Sequence, residues 1–177
     1  MNTQQIDKLK EICTNFHLPT YDEIPDIGLY LEQTSQYIND FFAPIPGMEI
    51  TNSMISNYVK IGLVARSVKK KYYREQIAYL IFITLAKSVC SMENICLLFE
   101  LQTHTYETHI AYEYLRLEVK NVMDYVFGIK DELDSVGVTS SNTKDLLRTT
   151  IVAVAHKMYL DLSLDEIRKI KDSSDYA

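Results

Sequence analysis

A chain of 177 residues, 47% of them hydrophobic, can bury a substantial core, which excludes disorder of the whole molecule. Only five Gly and four Pro occur, and Pro19, Pro25, Pro44 and Pro46 all precede the long downstream segments, so a mainly α-helical fold is expected. The net charge of −6, from 18 basic and 24 acidic residues, argues against a surface that coats nucleic acid everywhere.

The longest apolar run, Ile77 to Ala86, is about half the ~20 residues of a membrane span, and the N-terminus lacks the apolar centre of a secretory signal. A cytoplasmic protein without membrane attachment is expected. Cys13, Cys90 and Cys96 cannot all pair within one chain, and their spacing is not that of a zinc or redox motif. They read as small buried hydrophobes.

In chain order, Gln4 to Asn15 predicts a short helix, followed by an extended connection over LPTYDEIPDI. Pro25 or Asp26 then opens a longer helix through Ile27, Tyr30, Leu31, Tyr37, Ile38, Phe41 and Phe42, which Pro44, Pro46 and Gly47 end. Thr51 is placed to cap the next helix, with Ile50 and Ile55 as a hydrophobic staple. That helix turns Met54, Ile55, Tyr58 and Val59 inward and Ser53, Ser56, Asn57 and Lys60 outward, and stops at Gly62.

Leu63 to Tyr72 reads as a two-stranded ribbon or irregular wing. Ile77, Leu80, Ile81 and Leu85 mark a helix, and Ser91 caps another that buries Ile95, Leu98, Phe99 and Leu101. A long helix is expected from Tyr106 to Phe127, closed by Gly128. After a loop over Gly137 to Asn142, a further helix presents Leu147, Ile151, Val154 and Met158 at helix-seam spacing. Ser163 and Glu166 match a capping box for a last short helix. The expected organisation is an N-terminal helix at 1–17, a unit of helices around the wing at 18–103 and a helical region at 104–177.

Charge is segregated along this order. Thr51 to Arg74 contains Lys60, Arg66, Lys69, Lys70, Lys71 and Arg74 and no acidic residue, so it carries +6 and the remainder carries −12. Taken alone, the three consecutive lysines read as a solvated face.

The segment ITNSMISNYVKIGLVARSVKKKYYREQIAYLIFITLAKSVCSMENICLL resembles the winged helix-turn-helix of MerR-type regulators. Tyr58, Gly62, Leu63 and Tyr72 fit its helix, turn and wing; Ile77, Leu80 and Ile83 match the apolar triplet that follows, and Ser91 with Ile95 matches the start of the next helix. Ser56, Asn57 and Tyr73 depart from its usual Arg, Tyr and Ser or Thr. With its leader LPTYDEIPDIGLYLEQ, the segment is similar to a narrower bacterial family known as a domain of unknown function. The resemblance implies a MerR-like DNA-binding fold and brings no known operator, ligand or reaction.

The residue chemistry suits duplex DNA. Short or hydrogen-bonding side chains fit the major groove, so Ser53, Ser56 and above all Asn57 are the expected base readers. Lys60, Arg66, Lys69, Lys70, Lys71 and Arg74 are expected at phosphates, with Tyr72 adding a hydroxyl contact. The rival is a protein-protein adaptor that uses the same surface without DNA. The seam of Leu147, Ile151, Val154 and Met158 is expected to form a homodimer or, alternatively, to pack within one chain against Ala111, Leu115, Val122 and Val126. A small-molecule effector of unknown identity is a possible further partner.

His104, Glu107, His109 and Glu113 are conceivable metal ligands, but the four-residue-spaced His pair of a helical zinc site is absent. No metal, cofactor or catalytic residue is expected: no phosphate loop, nucleophile elbow or triad is recognisable. His156 reads as a packed or interfacial histidine rather than a base.

Overall fold

Local chemistry sets where the chain coils and where it stops. The computed structural model describes residues 2–137 and 141–174 and is mainly helical. Helix α1 (Thr3–Asn15) is followed by a 3-10 turn (Tyr21–Glu23), strand β1 (Leu29–Tyr30), α2 (Leu31–Phe42), α3 (Asn52–Lys60), strand β2 (Lys71–Tyr72), α4 (Arg74–Ala86), α5 (Met92–Thr103), α6 (Thr108–Val126) and α7 (Asn142–Ser174). Residues 138–140 of the expected loop lie outside the described residues.

Expected caps are present. Thr51 Oγ1 accepts the Met54 amide at 3.2 Å and Ser91 Oγ the Asn94 amide at 3.2 Å. Gly62 (φ +78°) ends α3 in a Schellman turn, with Leu63 N donating to Tyr58 O at 2.9 Å and Gly62 N to Val59 O at 3.1 Å.

Helix α4 is apolar on every side, and Ile77, Leu80, Ile81, Ile83 and Leu85 are all fully buried. It therefore sits centrally, packed by α2, α6 and α7. Helices α6 and α7 pack on each other, and α1 lies against both. One continuous core links Leu9 and Cys13 of α1, Ile55 of α3, Ile77 of α4 and Ile151 of α7. The expected boundaries at 17/18 and 103/104 therefore do not separate independent cores.

Several expectations need correction. The helix expected from Pro25 begins only at Leu31, because Gly28 takes φ +73° against Tyr73 and the chain then pairs Leu29 with Tyr72 and Tyr30 with Lys71 as antiparallel strands. Ile27 is left exposed. No new helix starts at Ser163: α7 runs through it unbroken, and Ser163 Oγ donates to Tyr159 O at 2.7 Å, one turn back. Glu166 instead accepts Lys8 of α1 at 2.9 Å, and that bond with the one from Lys169 holds its carboxyl below the ordinary range, the Lys169 bond contributing most.

Of the two arrangements expected for the Leu147 seam, the chain adopts packing on itself rather than facing a second copy. Ile151, Val154 and Met158 are buried within their own chain and Leu147 is half-buried, so this stripe faces the molecule's own core. Of the cysteines, Cys13 is buried and its thiol is pushed up to about 12 by burial, with Asp124 adding to the effect. Cys90 is half-buried, but Cys96 is exposed and is not the core residue expected.

Candidate nucleic-acid interface

Helix α3 is held from one side by α2. Asn39 on α2 clamps the residue before the Thr51 cap, donating from Nδ2 to Ile50 O at 3.0 Å and accepting Ile50 N at 2.8 Å. Ser35 Oγ donates to Asn52 Oδ1 at 2.7 Å. Ile55 and Tyr58 are buried, and burial raises the Tyr58 phenol above its ordinary pKa. The opposite side carries Ser53, Ser56, Asn57 and Lys60, all exposed. Ser56 Oγ already donates to Asn52 O at 2.8 Å, whereas the Asn57 side chain has no hydrogen-bond partner among the described residues.

The chain runs from the Gly62 turn into a narrow hairpin. Val68 and Lys71 exchange both backbone hydrogen bonds at 3.0 Å, leaving Lys69 and Lys70 as a two-residue loop with φ of +50° and +65°. Two consecutive positive φ values are those of a type I′ turn, which favours Asn-Gly; a side chain there costs roughly 1–2 kcal/mol per residue. The tip is therefore strained at the two residues that carry its charge. The variant Lys69→Asn with Lys70→Gly is expected to raise unfolding stability by about 1–2 kcal/mol in urea melts while weakening any binding that uses the two cations.

Gln76 fixes the base of the hairpin. Its Nε2 donates to Ala65 O at 2.8 Å and Arg66 O at 3.2 Å, while its Oε1 accepts Tyr73 N at 2.9 Å. Lys71 Nζ lies 5.3 Å from the centroid of the Tyr30 ring, a cation-π contact that anchors its stem. Lys60, Arg66, Lys69 and Lys70 are exposed, and with Lys71 they have no ion pair among the described residues.

Two expected contacts are placed elsewhere. Tyr72 is buried in the core, since β2 turns it inward as it pairs with Leu29. Arg74 is spent inside the chain: Nε donates to Ile24 O at 2.7 Å, one terminal nitrogen to Asp22 O at 3.0 Å and the other to Asp22 Oδ1 at 3.3 Å, over the Tyr21 ring. It fastens the leader to α4 rather than reaching a phosphate. Ser53, Ser56, Asn57, Lys60, Arg66, Lys69 and Lys70 are thus exposed along this stretch of chain, with Lys71 half-buried beside them. Asn39 and Gln76, which position it, escaped the sequence reading; the available signal for Gln76 was its place three residues after the start of α4's cap.

The conceivable metal ligands are not assembled. Glu113 accepts Tyr21 N at 2.6 Å and pairs with Arg116 at 2.8 Å, and the exposed His109 lies 3.5 Å from Glu107. Among the described residues no group of three or more His, Cys, Asp or Glu could hold a metal ion. Among them, too, no helix is long and apolar enough to cross a membrane.

A family model described as a domain of unknown function, DUF1836, matches residues 19–116. The chain belongs to this family. No curated protein and no solved structure matches it. The DUF1836 match runs from the leader into α6 and contains α3, the hairpin and both positioning residues, Asn39 and Gln76.

Proposed function

We propose that the chain is a sequence-specific DNA-binding transcriptional regulator in which α2 and α3 form a MerR-like helix-turn-helix and the following hairpin is its wing. The observation that carries this reading is that an exposed helix face of short, hydrogen-bonding side chains is followed by a strained hairpin tip of two lysines without acidic partners among the described residues. Backbone strain held at a charged tip points to use of that charge. In this reading α3 enters the major groove, Asn57 reads adenine through its free amide, and Lys60, Arg66, Lys69, Lys70 and Lys71 meet phosphates.

Selection of bound sequences from random duplex DNA tests the reading directly. Asn57→Ala is expected to relax the selected sequence, with about 1–3 kcal/mol of base discrimination lost and little change in affinity for random duplex. Equal losses on both would show that Asn57 does not read bases. The rival reading, an adaptor that binds protein through this surface, is favoured by exposed Ile61 and Val68 on the same segment. Retention on heparin at low salt that is lost as salt rises supports DNA binding; absence of retention supports the adaptor.

A single winged module buries only ~600–1,000 Å² on DNA, so the regulator is proposed to act as a homodimer reading two half-sites. With the Leu147 stripe turned inward, the second copy is placed on the opposite side of α7, where Leu160, Leu164 and Ile167 recur at spacings of four and three and remain exposed. Light scattering is expected to give twice the 20.5 kDa chain mass, reduced to one chain by Leu160→Asp without loss of helicity. A wild-type mass of one chain at micromolar concentration refutes the dimer.

A further inference from the structure

Between α4, α5, the start of α6 and the start of α7 lies an apolar cavity of about 140 Å³, lined among others by Tyr79, Phe82, Leu98, Phe99, Leu115 and Leu147 and open to solvent beside the exposed Ile110 and Leu146. An apolar cavity of about 150 Å³ accommodates one benzene ring. The aromatic wall is built for such a guest: Phe99 meets Tyr79 and Phe82 edge-on, with ring centroids 4.8 and 5.2 Å apart.

The wall contributed by α4 is polar at one point, and its proton order follows from the geometry. Thr108 Oγ1 donates to Glu75 Oε1 at 2.6 Å, and Tyr79 Oη lies 2.9 Å from Thr108 Oγ1. A threonine hydroxyl has one proton, and Glu75 takes it. Tyr79 must therefore donate to Thr108, which leaves its oxygen as an acceptor with no proton to offer. A guest satisfies that acceptor only if it brings a donor. At another part of the lining, the Lys144 ammonium stands 5.0 Å from the Tyr114 ring centroid and 5.7 Å from that of Tyr106, which disfavours a cationic guest.

We propose that this cavity is a binding site for a neutral, single-ring aromatic molecule carrying one hydroxyl or amino donor, a phenol or an arylamine, with its ring between Phe82, Phe99 and Leu115 and its donor on Tyr79. The proposal does not rest on DNA binding, and its test contains no DNA. Methyl NMR of the full chain titrated with phenol is expected to shift the Leu98, Leu115 and Leu147 methyls saturably, with one site per chain, and more weakly with toluene, which lacks the donor. Tyr79→Phe is expected to raise the phenol dissociation constant about fivefold, the worth of one hydrogen bond, and to leave that of toluene unchanged. Ala111→Leu fills the cavity from α6 and is expected to abolish both sets of shifts while helicity by circular dichroism is retained.

Absence of saturable shifts, or shifts confined to methyls outside the cavity, overturns the site. So does a folded Ala111→Leu variant that binds phenol as the natural chain does. Toluene binding as tightly as phenol, or a Tyr79→Phe variant that loses affinity for both equally, overturns the ligand class.

Discussion

Replacing Lys69, Lys70 and Lys71 together by Ala is expected to weaken binding to every duplex, specific or random, and to flatten its salt dependence. Each cation that neutralises a phosphate releases condensed counterions, so three lost contacts lower the slope of log affinity against log salt by about 2.7 and reduce affinity near 0.1 M salt by on the order of 10²-fold. Lys69 and Lys70 stand at the hairpin tip with no ion pair among the described residues, so no internal interaction competes for their charge. Lys71 already lies over Tyr30 and contributes the least of the three. Folding should be preserved, because the two tip residues are exposed and in a strained turn. Salt titrations of binding by fluorescence anisotropy check this, and an unchanged slope removes the lysines from the interface.

The second expected result concerns the helical half. Replacing Arg148 by Met should cost about 3 kcal/mol of unfolding free energy, the lower end of the range for a broken buried ion pair, because Arg148 itself is partly exposed. Glu118 on α6 is fully buried, with Arg148 Nε 2.6 Å from its Oε1 and a terminal nitrogen donating to its Oε2 at 3.1 Å. Oε1 lacks an aligned hydrogen bond, so beside the Tyr114 hydroxyl the charge of Arg148 is the main compensation of this carboxylate. The hydrogen bond from Arg148 to Glu118 raises the guanidinium pKa further, against the opposing effect of burial. Arg148→Met leaves a buried carboxylate without a counter-charge, whereas adding Glu118→Met removes that charge and should recover most of the loss. Urea denaturation of the single and double variants decides the point: a double variant as unstable as the single one would show that shape rather than charge is at stake. Both residues lie on the pairing of α6 with α7 that was the expected alternative to a dimer seam.

Much of this architecture was legible in the residue order because its causes are local. The Thr51 and Ser91 caps, the left-handed turns at Gly62 and Gly128, and the outward row Ser53, Ser56, Asn57 and Lys60 depend on neighbours within a few residues, where helix periodicity and hydroxyl chemistry suffice. The acid-free charge of the segment is likewise a property of sequence alone. Other outcomes depend on contacts that sequence spacing does not encode. Whether Arg74 faces a phosphate or Asp22 depends on a leader 52 residues away, and Tyr72 turns inward because β2 pairs with β1 across a similar gap. An apolar stripe such as Ile151, Val154 and Met158 specifies that it must be covered, not by which surface; α6 of the same chain, close at hand, covers it without the translational entropy that a second chain would lose. Ser163 read as a cap has the same character, since its hydroxyl is satisfied equally well by the carbonyl one turn back, and only the continuous packing of α7 selected that choice.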